Sequence, residues 1–305
     1  MPHARPSRVV PVLALALGAS ALAAGACGDR DAVSPVGLVP GLSTVLVTSE
    51  HDGNVDIYAM DPDGTDARRV THHAGVDQSA DWAPDGFQFA FMSDRDGDFE
   101  IYAMLANGRN LRQLTTNGTA DGFPRWSPDG TRLLFTSLRE GSLDVFVMNA
   151  DGSSPTRLTP HPADDFGGAW SPDGERIAFV SVRSGSEEIW TMRADGSDLR
   201  RLTRHPAIEG ARLSWSPDGS RIAYHAWLGD DSDVWVVDAS GGVPVRLTQG
   251  SARDRTPTWS PDGRLSAFTS DRDGDDDIWV MDTDGGGARR LTNRVGLDVL
   301  DSWRR

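Results

Sequence analysis

Short hydrophobic runs separated by polar turns fill most of this chain, and their order returns about every 44 residues. Residues 125–168 show one complete unit, in which runs typical of strands lie at 125–127, 132–137, 144–149 and 156–159. Asp-Gly pairs and other turn residues separate these runs. Because the turns are short, each unit is predicted to be a sheet of four antiparallel strands.

A tryptophan marks the start of each repeat. The six positions are Trp82, Trp126, Trp170, Trp215, Trp259 and Trp303. Five of them open a cassette of the form Trp-(Ser/Ala)-Pro-Asp-Gly, in which proline and glycine supply the backbone angles of a tight turn. A period of 40 to 45 residues with turn residues at fixed offsets is typical of a propeller with four-stranded blades.

The first and last repeats are incomplete in a complementary way. The first unit begins at Leu46 with a second strand, whereas Trp303 ends a first strand that nothing follows. Residues 298–303 align with residues 77–82, so the C-terminal strand is expected to be the missing innermost strand of blade one. We therefore predict an all-β fold, a six-bladed propeller over residues 44–305 whose ring is closed by the C-terminal strand.

The N-terminal segment has the pattern of an export signal. Arg5 and Arg8 precede an apolar stretch, residues 9–24, that is too short to span a bilayer. Cys27, the single cysteine, follows this stretch as in the lipobox of bacterial lipoproteins, although Ala24 stands where leucine is usual. We predict a lipoprotein-type signal at 1–26 and a flexible tether at 27–43. The alternative is ordinary signal cleavage that leaves an incidental thiol.

The net charge of −15 argues against nucleic acid as a partner, because such binding needs basic side chains. It is compatible with basic partners, with divalent cations, or simply with solubility. We expect an exported monomer on the periplasmic side of a bacterial membrane, which it touches only through a lipid anchor at Cys27.

The recurring motifs resemble a known family. Leu-Thr, Trp-Ser-Pro-Asp-Gly, Ile-Ala-Phe and the Ser-Asp-Arg-Asp-Gly stretches at 93–97 and 270–274 are similar to the TolB-type propeller repeat. In contrast to TolB, which has an α/β domain before its propeller, we expect only a tether there in this chain. The resemblance implies a propeller with a channel mouth at which a peptide segment of a partner docks.

Acids at the start of the innermost strands are the candidate binding residues. They are Asp77, Asp121, Asp165, Glu209, Asp254 and Asp298. Six carboxylates converging on one channel mouth are expected to attract a cation or an arginine-bearing ligand. The alternative is that each acid caps its own loop by accepting backbone N–H groups. Trp227, predicted in a loop on the same face, is a further candidate contact.

Other recurring residues have structural interpretations. The repeated tryptophans are expected to pack between blades. Arginines in the loops after the second strands are expected to pair with some of the acids that open the third strands. These arginines are Arg95, Arg139, Arg183 and Arg272. The acids are Asp56, Glu100, Asp144, Glu188, Asp233 and Asp277.

Two sets of residues are candidate metal ligands. His73, His161 and His205 share a register after the fourth strands, where imidazoles either bind zinc or manganese or cap a turn. Two Asp-rich hairpins, 94–98 and 271–275, resemble part of a calcium loop but lack its glutamate at position twelve. We expect no cofactor, with Ca²⁺ or another divalent ion as the alternative.

The sequence holds no contiguous catalytic motif such as Gly-x-Ser-x-Gly or His-Glu-x-x-His. The favoured hypothesis is a non-catalytic envelope lipoprotein that binds a protein segment, or a small cationic ligand, at its acid-rimmed channel mouth. The alternative is a metal-assisted hydrolase or lyase whose active site is assembled inside the channel from separate blades.

Overall fold

The computed structural model describes residues 44–50, 53–204, 208–209, 212–293 and 296–303, with only the backbone of residues 208 and 209. The predicted signal, the tether and Cys27 lie outside the described residues. Within these residues the chain forms 25 strands, arranged in six antiparallel sheets. The described part holds no helix long and apolar enough to cross a membrane.

Each sheet is one blade, and its strands run in order from the channel outward. Blade one is Asp298–Trp303 (β25), Val45–Ser49 (β1), Asp56–Met60 (β2) and Arg68–Arg69 (β3). Blade two is Asp77–Trp82 (β4), Gln88–Ser93 (β5), Glu100–Leu105 (β6) and Arg112–Gln113 (β7). Blade three is Asp121–Trp126 (β8), Arg132–Ser137 (β9), Asp144–Asn149 (β10) and Thr156–Arg157 (β11).

The remaining blades follow the same order. Blade four is Asp165–Trp170 (β12), Arg176–Ser181 (β13), Glu188–Arg193 (β14) and Arg200–Arg201 (β15). Blade five is Ile208–Glu209 (β16) and Ser214–Trp215 (β17), which both pair with Arg221–Leu228 (β18), then Asp231–Asp238 (β19) and Val245–Arg246 (β20). Blade six is Asp254–Trp259 (β21), Leu265–Ser270 (β22), Asp277–Asp282 (β23) and Arg289–Arg290 (β24).

The predicted closure of the ring is confirmed. The C-terminal strand β25 pairs antiparallel with β1, from Val45 opposite Trp303 to Ser49 opposite Asp298. Leu300 is fully buried and packs with Val45 and Val47 of blade one and Val280 of blade six. The last strand of the chain is therefore an integral part of the first blade.

The inner strands carry a bulge that links neighbouring blades. Residues at the bulge have positive φ, for example Ser79 at 58° and Gly167 at 69°. Their backbone N–H groups donate to threonine hydroxyls of the preceding blade, from Ser79 N to Thr48 Oγ1 (3.2 Å) and from Gly167 N to Thr136 Oγ1 (3.2 Å). Leu300 N donates to Thr269 Oγ1 in the same way (3.0 Å), so threonines of blades one, three and six each bond to the inner strand of the next blade.

The repeated tryptophans pack between blades, as predicted. Indole N–H groups of several of them donate to the preceding blade. The bonds run from Trp170 Nε1 to Arg125 O (3.3 Å), from Trp215 Nε1 to Ala169 O (3.2 Å) and from Trp259 Nε1 to Ser214 O (3.2 Å). Apolar clusters likewise draw on two neighbouring blades, as where Met92 of blade two meets Phe135 of blade three. The tryptophan of each repeat thereby fills the wedge-shaped space between two neighbouring blades.

Candidate functional site

The six inner strands give the channel two chemically different ends. Five of them begin with an acid, so Asp77, Asp121, Asp165, Asp254 and Asp298 lie at one end, which we call the acid mouth. All six end with the repeat tryptophans, which lie at the other end, the tryptophan mouth. Each of these aspartates pairs with the serine at the end of the second strand of its blade, as Asp77 does with Ser93 and Asp121 with Ser137, so equivalent residues take equivalent places in successive blades.

At the acid mouth, four of the carboxylates are buried beneath arginines. The pairs are Arg95–Asp77 (2.8 Å), Arg139–Asp121 (2.6 Å), Arg183–Asp165 (2.6 Å) and Arg272–Asp254 (2.9 Å). Each of these carboxylates is at most 1% exposed, and Asp298 is 3% exposed. The side chain of Glu209 lies outside the described residues. At these four positions loop arginines cover the acids, so ion pairs lie where open carboxylates were expected.

Each covering arginine is held rigidly. Arg139 donates from Nε to Ser137 Oγ at 2.9 Å, and its guanidinium stacks on Phe135 and Phe146 at 5.2 and 4.9 Å from the ring centroids. Arg95 makes the same contacts with Ser93 and Tyr102. The Ser-x-Arg motif and the aromatic residues of the second and third strands therefore position a guanidinium over the first-strand acid.

The acids that open the third strands have different partners from those predicted. Five of the six pair with arginines of the fourth strands, whereas Glu100 accepts the backbone N–H of Asn117 at 2.7 Å. These pairs are Arg69–Asp56, Arg157–Asp144, Arg201–Glu188, Arg246–Asp233 and Arg290–Asp277. The prediction that Arg95, Arg139, Arg183 and Arg272 serve these acids is therefore wrong. The fourth strand is hydrogen-bonded to the third, which brings its arginine closer to the acid than the loop arginine.

Burial shapes the chemistry of these acids. Burial raises the pKa of Asp56 to about 6, against the opposing effects of Arg69 and the Thr71 hydroxyl. Thr71 Oγ1 also accepts the backbone N–H of Ile57 at 2.9 Å. The hydroxyls of Thr115 and Thr159 accept the backbone N–H groups of Ile101 and Val145 in the same way. The recurring Leu-Thr pair therefore has a structural role, because its threonine bonds the start of the third strand.

The two described histidines of the candidate metal set cap turns. His73 Nδ1 accepts the N–H of Gly75 at 2.9 Å, and His161 Nδ1 accepts the N–H of Ala163 at 3.0 Å. They belong to blades one and three, and His205 lies outside the described residues. The described residues contain no group of three or more His, Cys, Asp or Glu side chains suited to a metal. The structure therefore does not bring His73 and His161 together.

The Asp-rich hairpins also cap neighbouring loops. Asp94 Oδ1 accepts the N–H of Val76, and Asp271 Oδ1 accepts the N–H of Arg253, both at 2.7 Å. Each carboxylate therefore ties its hairpin to the connection that leads into an inner strand. This role accounts for the first aspartate of both stretches.

Blade five departs from the repeat at the acid mouth. Its second and third strands, β18 and β19, have eight residues, against five or six in the other blades. Trp227 lies within β18, opposite Ser232, and not in a loop as predicted. Leu228, 39% exposed, occupies the position that arginine holds in blades two, three, four and six. Blade five therefore presents a half-buried indole and an aliphatic side chain where four other blades present a guanidinium.

The same hairpin carries a buried histidine in β18 that the repeat does not predict. His225 is 7% exposed, and its Nδ1 has no hydrogen-bond partner among the described residues. Burial, reinforced by the positive charges of Arg255 and Arg212, lowers the pKa of His225 to about 3. The imidazole is therefore neutral at physiological pH.

An arginine crosses the channel interior. Arg212 of blade five donates to Asp301 Oδ1 (2.8 Å) and Leu300 O (3.1 Å) of blade one and to Ser79 Oγ (2.9 Å) of blade two. Blade two stands opposite blade five in a ring of six, so this side chain bridges the axis. Neither Arg212 nor Asp301 was predicted as a site residue, because their only signal is a charge at an inner-strand position that does not recur.

The tryptophan mouth surrounds an open cavity of about 220 Å³. All six repeat tryptophans line it, together with the residue that precedes each of them. Those preceding residues are Asp81, Arg125, Ala169, Ser214, Thr258 and Ser302. The indoles recur in every blade, whereas the residues that precede them differ from blade to blade. We call these preceding residues the floor of the cavity; most of them are polar, and their arrangement is asymmetric.

An ion pair dominates that floor. Arg125 Nη1 lies 3.3 Å from Asp81 Oδ1, and Asp81 also accepts the N–H of Trp126 (2.8 Å) and the Ser302 hydroxyl (3.2 Å). Burial raises the pKa of Asp81, and the adjacent Arg125 opposes that rise. Both charges are thus satisfied within the protein.

Comparison with known families gives a clear assignment. The model of the TolB beta propeller domain matches residues 30–122, 120–214 and 205–303. The chain belongs to this family. A protein TolB homolog from Chlorobium luteolum is 41% identical over 63 residues, which are 20% of this chain. That match spans 14% of the length of the TolB homolog.

Solved structures of the family share the fold. TolB from Acinetobacter baumannii superposes with a TM-score of 0.74 at 24% identity, over 87% of this chain and 67% of that one. A putative TolB from Agrobacterium tumefaciens gives 0.68 at 22% identity, over 86% of this chain and 92% of that one. At these identities the likeness establishes the TolB-type propeller architecture.

Proposed function

We propose that this TolB-type propeller is a non-catalytic protein-binding module of the bacterial cell envelope. In this proposal the chain is exported by its N-terminal signal, anchored through lipid on Cys27 and held on the periplasmic side by the 27–43 tether. Family membership and the lipobox-like segment support that location. The binding face is the acid mouth, and the ligand is a segment of another envelope protein.

The blade-five hairpin carries the proposal. Four blades close the acid mouth with stacked, ion-paired arginines, whereas blade five offers Trp227 and Leu228 on strands longer than those of the other blades. Tryptophan is among the side chains that most often anchor protein interfaces, and Leu228 adds exposed apolar surface beside it. The carboxylates already have arginine partners, which favours a protein segment over a small free cation as the ligand.

Site-specific crosslinking tests this proposal in cells. A photoreactive residue at position 228 is expected to trap one envelope protein as a discrete adduct, and the same residue at Val243 is not. Val243 is the matched control because it is 90% exposed on the outer edge of the same blade. Equal adducts from both positions, or none from position 228, would contradict binding at this face.

The same cells test the anchor. Cys27→Ser is expected to abolish incorporation of labelled palmitate and to release the protein from the membrane fraction. Incorporation that persists in this variant would contradict the lipid anchor while leaving the binding face untouched.

A further inference from the structure

The cavity at the tryptophan mouth is independent of the proposed binding face, since it lies at the other end of the channel. It holds about 220 Å³, whereas a water molecule takes about 30 Å³ of liquid. The space is therefore large enough for a ring-sized ligand. Concave sites with apolar walls and a few polar groups are the usual form of small-molecule sites.

Charge balance on the cavity floor limits the ligand class. Asp81 is paired with Arg125, and the lining carboxylate of Asp301 is paired with Arg212. A charged ligand would have to separate one of these pairs and leave a poorly solvated charge behind, which is costly. The floor therefore favours a ligand without net charge.

The walls and the remaining floor residues narrow the class further. Indole rings, Pro84, Pro128, Pro172 and Leu213 offer apolar surface. Ser214 and Thr258 add hydroxyls to the floor. A purely apolar ligand would cover these polar groups without bonding them, which costs free energy. A molecule with C–H groups on one side and several hydroxyls on the other satisfies both surfaces.

We propose that this cavity binds one sugar ring of a neutral saccharide. Its C–H groups pack against the indoles and prolines, and its hydroxyls exchange hydrogen bonds with the Asp81–Arg125 pair and with Thr258. Thr258 is the sharpest probe because it is only partly buried and its hydroxyl makes no hydrogen bond within the described part of the chain.

The test is a titration of the folded propeller followed by its tryptophan fluorescence and by calorimetry. The probes are glucose, galactose, mannose, N-acetylglucosamine and their β-linked disaccharides. We expect saturable binding of at least one of them. Thr258→Val removes a hydroxyl at nearly constant volume and is expected to weaken that binding about fivefold to tenfold, as for one lost hydrogen bond. Thr258→Phe fills the cavity and is expected to abolish it.

Matched controls separate the site from general effects. Thr156→Val makes the same chemical change on the exposed outer strand of blade three and is expected to leave affinity unchanged. Circular dichroism confirms that each variant is folded. The proposal is overturned if no neutral sugar binds saturably, if arginine amide or glucuronate binds as tightly as the best sugar, or if Thr258→Phe binds like the unchanged protein.

Discussion

Replacing Leu300 with alanine measures how firmly the C-terminal strand seals the ring. The side chain is fully buried among residues of blades one and six, including Val45, Val47 and Val280. Leucine-to-alanine changes at such sites cost about 2–5 kcal/mol, because apolar contact is lost and a cavity remains. For a domain of this size, a loss of about 3 kcal/mol corresponds to a fall of roughly 6–12 °C in Tm.

Urea unfolding followed by circular dichroism gives the free energy, and a thermal scan gives Tm. Val243→Ala is the control, since this side chain is 90% exposed and its loss is expected to change stability by less than about 0.5 kcal/mol. Deleting residues 296–305 is expected to lower Tm further still, because two sheet edges open. A Leu300→Ala protein as stable as the Val243→Ala protein would refute the sealed ring.

Two further predictions concern the channel interior. Arg212→Met leaves the buried Asp301 carboxylate without its cation and is expected to lower the free energy of unfolding by about 3–5 kcal/mol. Adding Asp301→Asn to the same chain should recover a large part of that loss. Urea unfolding of the single and the double variant measures both values, and no recovery would contradict the pairing. Because the pKa of His225 is lowered to about 3, the unfolded chain gains a proton below about pH 6.5 that the folded chain does not. This group therefore reduces stability by about 1.4 kcal/mol per pH unit as the pH falls from 6 to 4. His225→Gln should remove that slope, and unchanged slopes in urea titrations would contradict the assignment.

The blades and their closure were predictable because local chemistry decides them. Turn residues at fixed offsets define each hairpin, and alternation of apolar residues defines the strands between them. The tail at 298–303 matches the register of 77–82, so even the strand that joins the two ends of the chain could be placed. Trp227 was misplaced because its blade lengthens β18 and β19, a departure from the repeat average.

The ion pairs could not be assigned from spacing. Arg95 is five residues before Glu100 and eighteen after Asp77, so the nearer acid is the natural choice along the chain. In the sheet, the first strand lies beside the second, and the end of the second strand meets the start of the first. The loop arginine therefore reaches Asp77, and the fourth strand supplies arginines for the third-strand acids in five blades.

The channel interior was unpredictable for a different reason. Arg212, Ser79 and Asp301 come from three different blades, so the 44-residue repeat does not indicate that they are in contact. The sequence signal of Arg212 and Asp301 is a charge at an inner-strand position where the other repeats have no charged residue. In repeat proteins such exceptions are the first places to search for a site.

The joining of residues 45–69 with residues 298–303 in one sheet also constrains biosynthesis. The ribosome synthesises blades two to six before it reaches β25, the strand that completes blade one. Until then the nascent polypeptide exposes unpaired backbone at both sides of the gap, where other chains can add as strands. A chain that terminates before residue 298 is therefore expected to be susceptible to proteolysis and aggregation, even if its other blades are correctly folded.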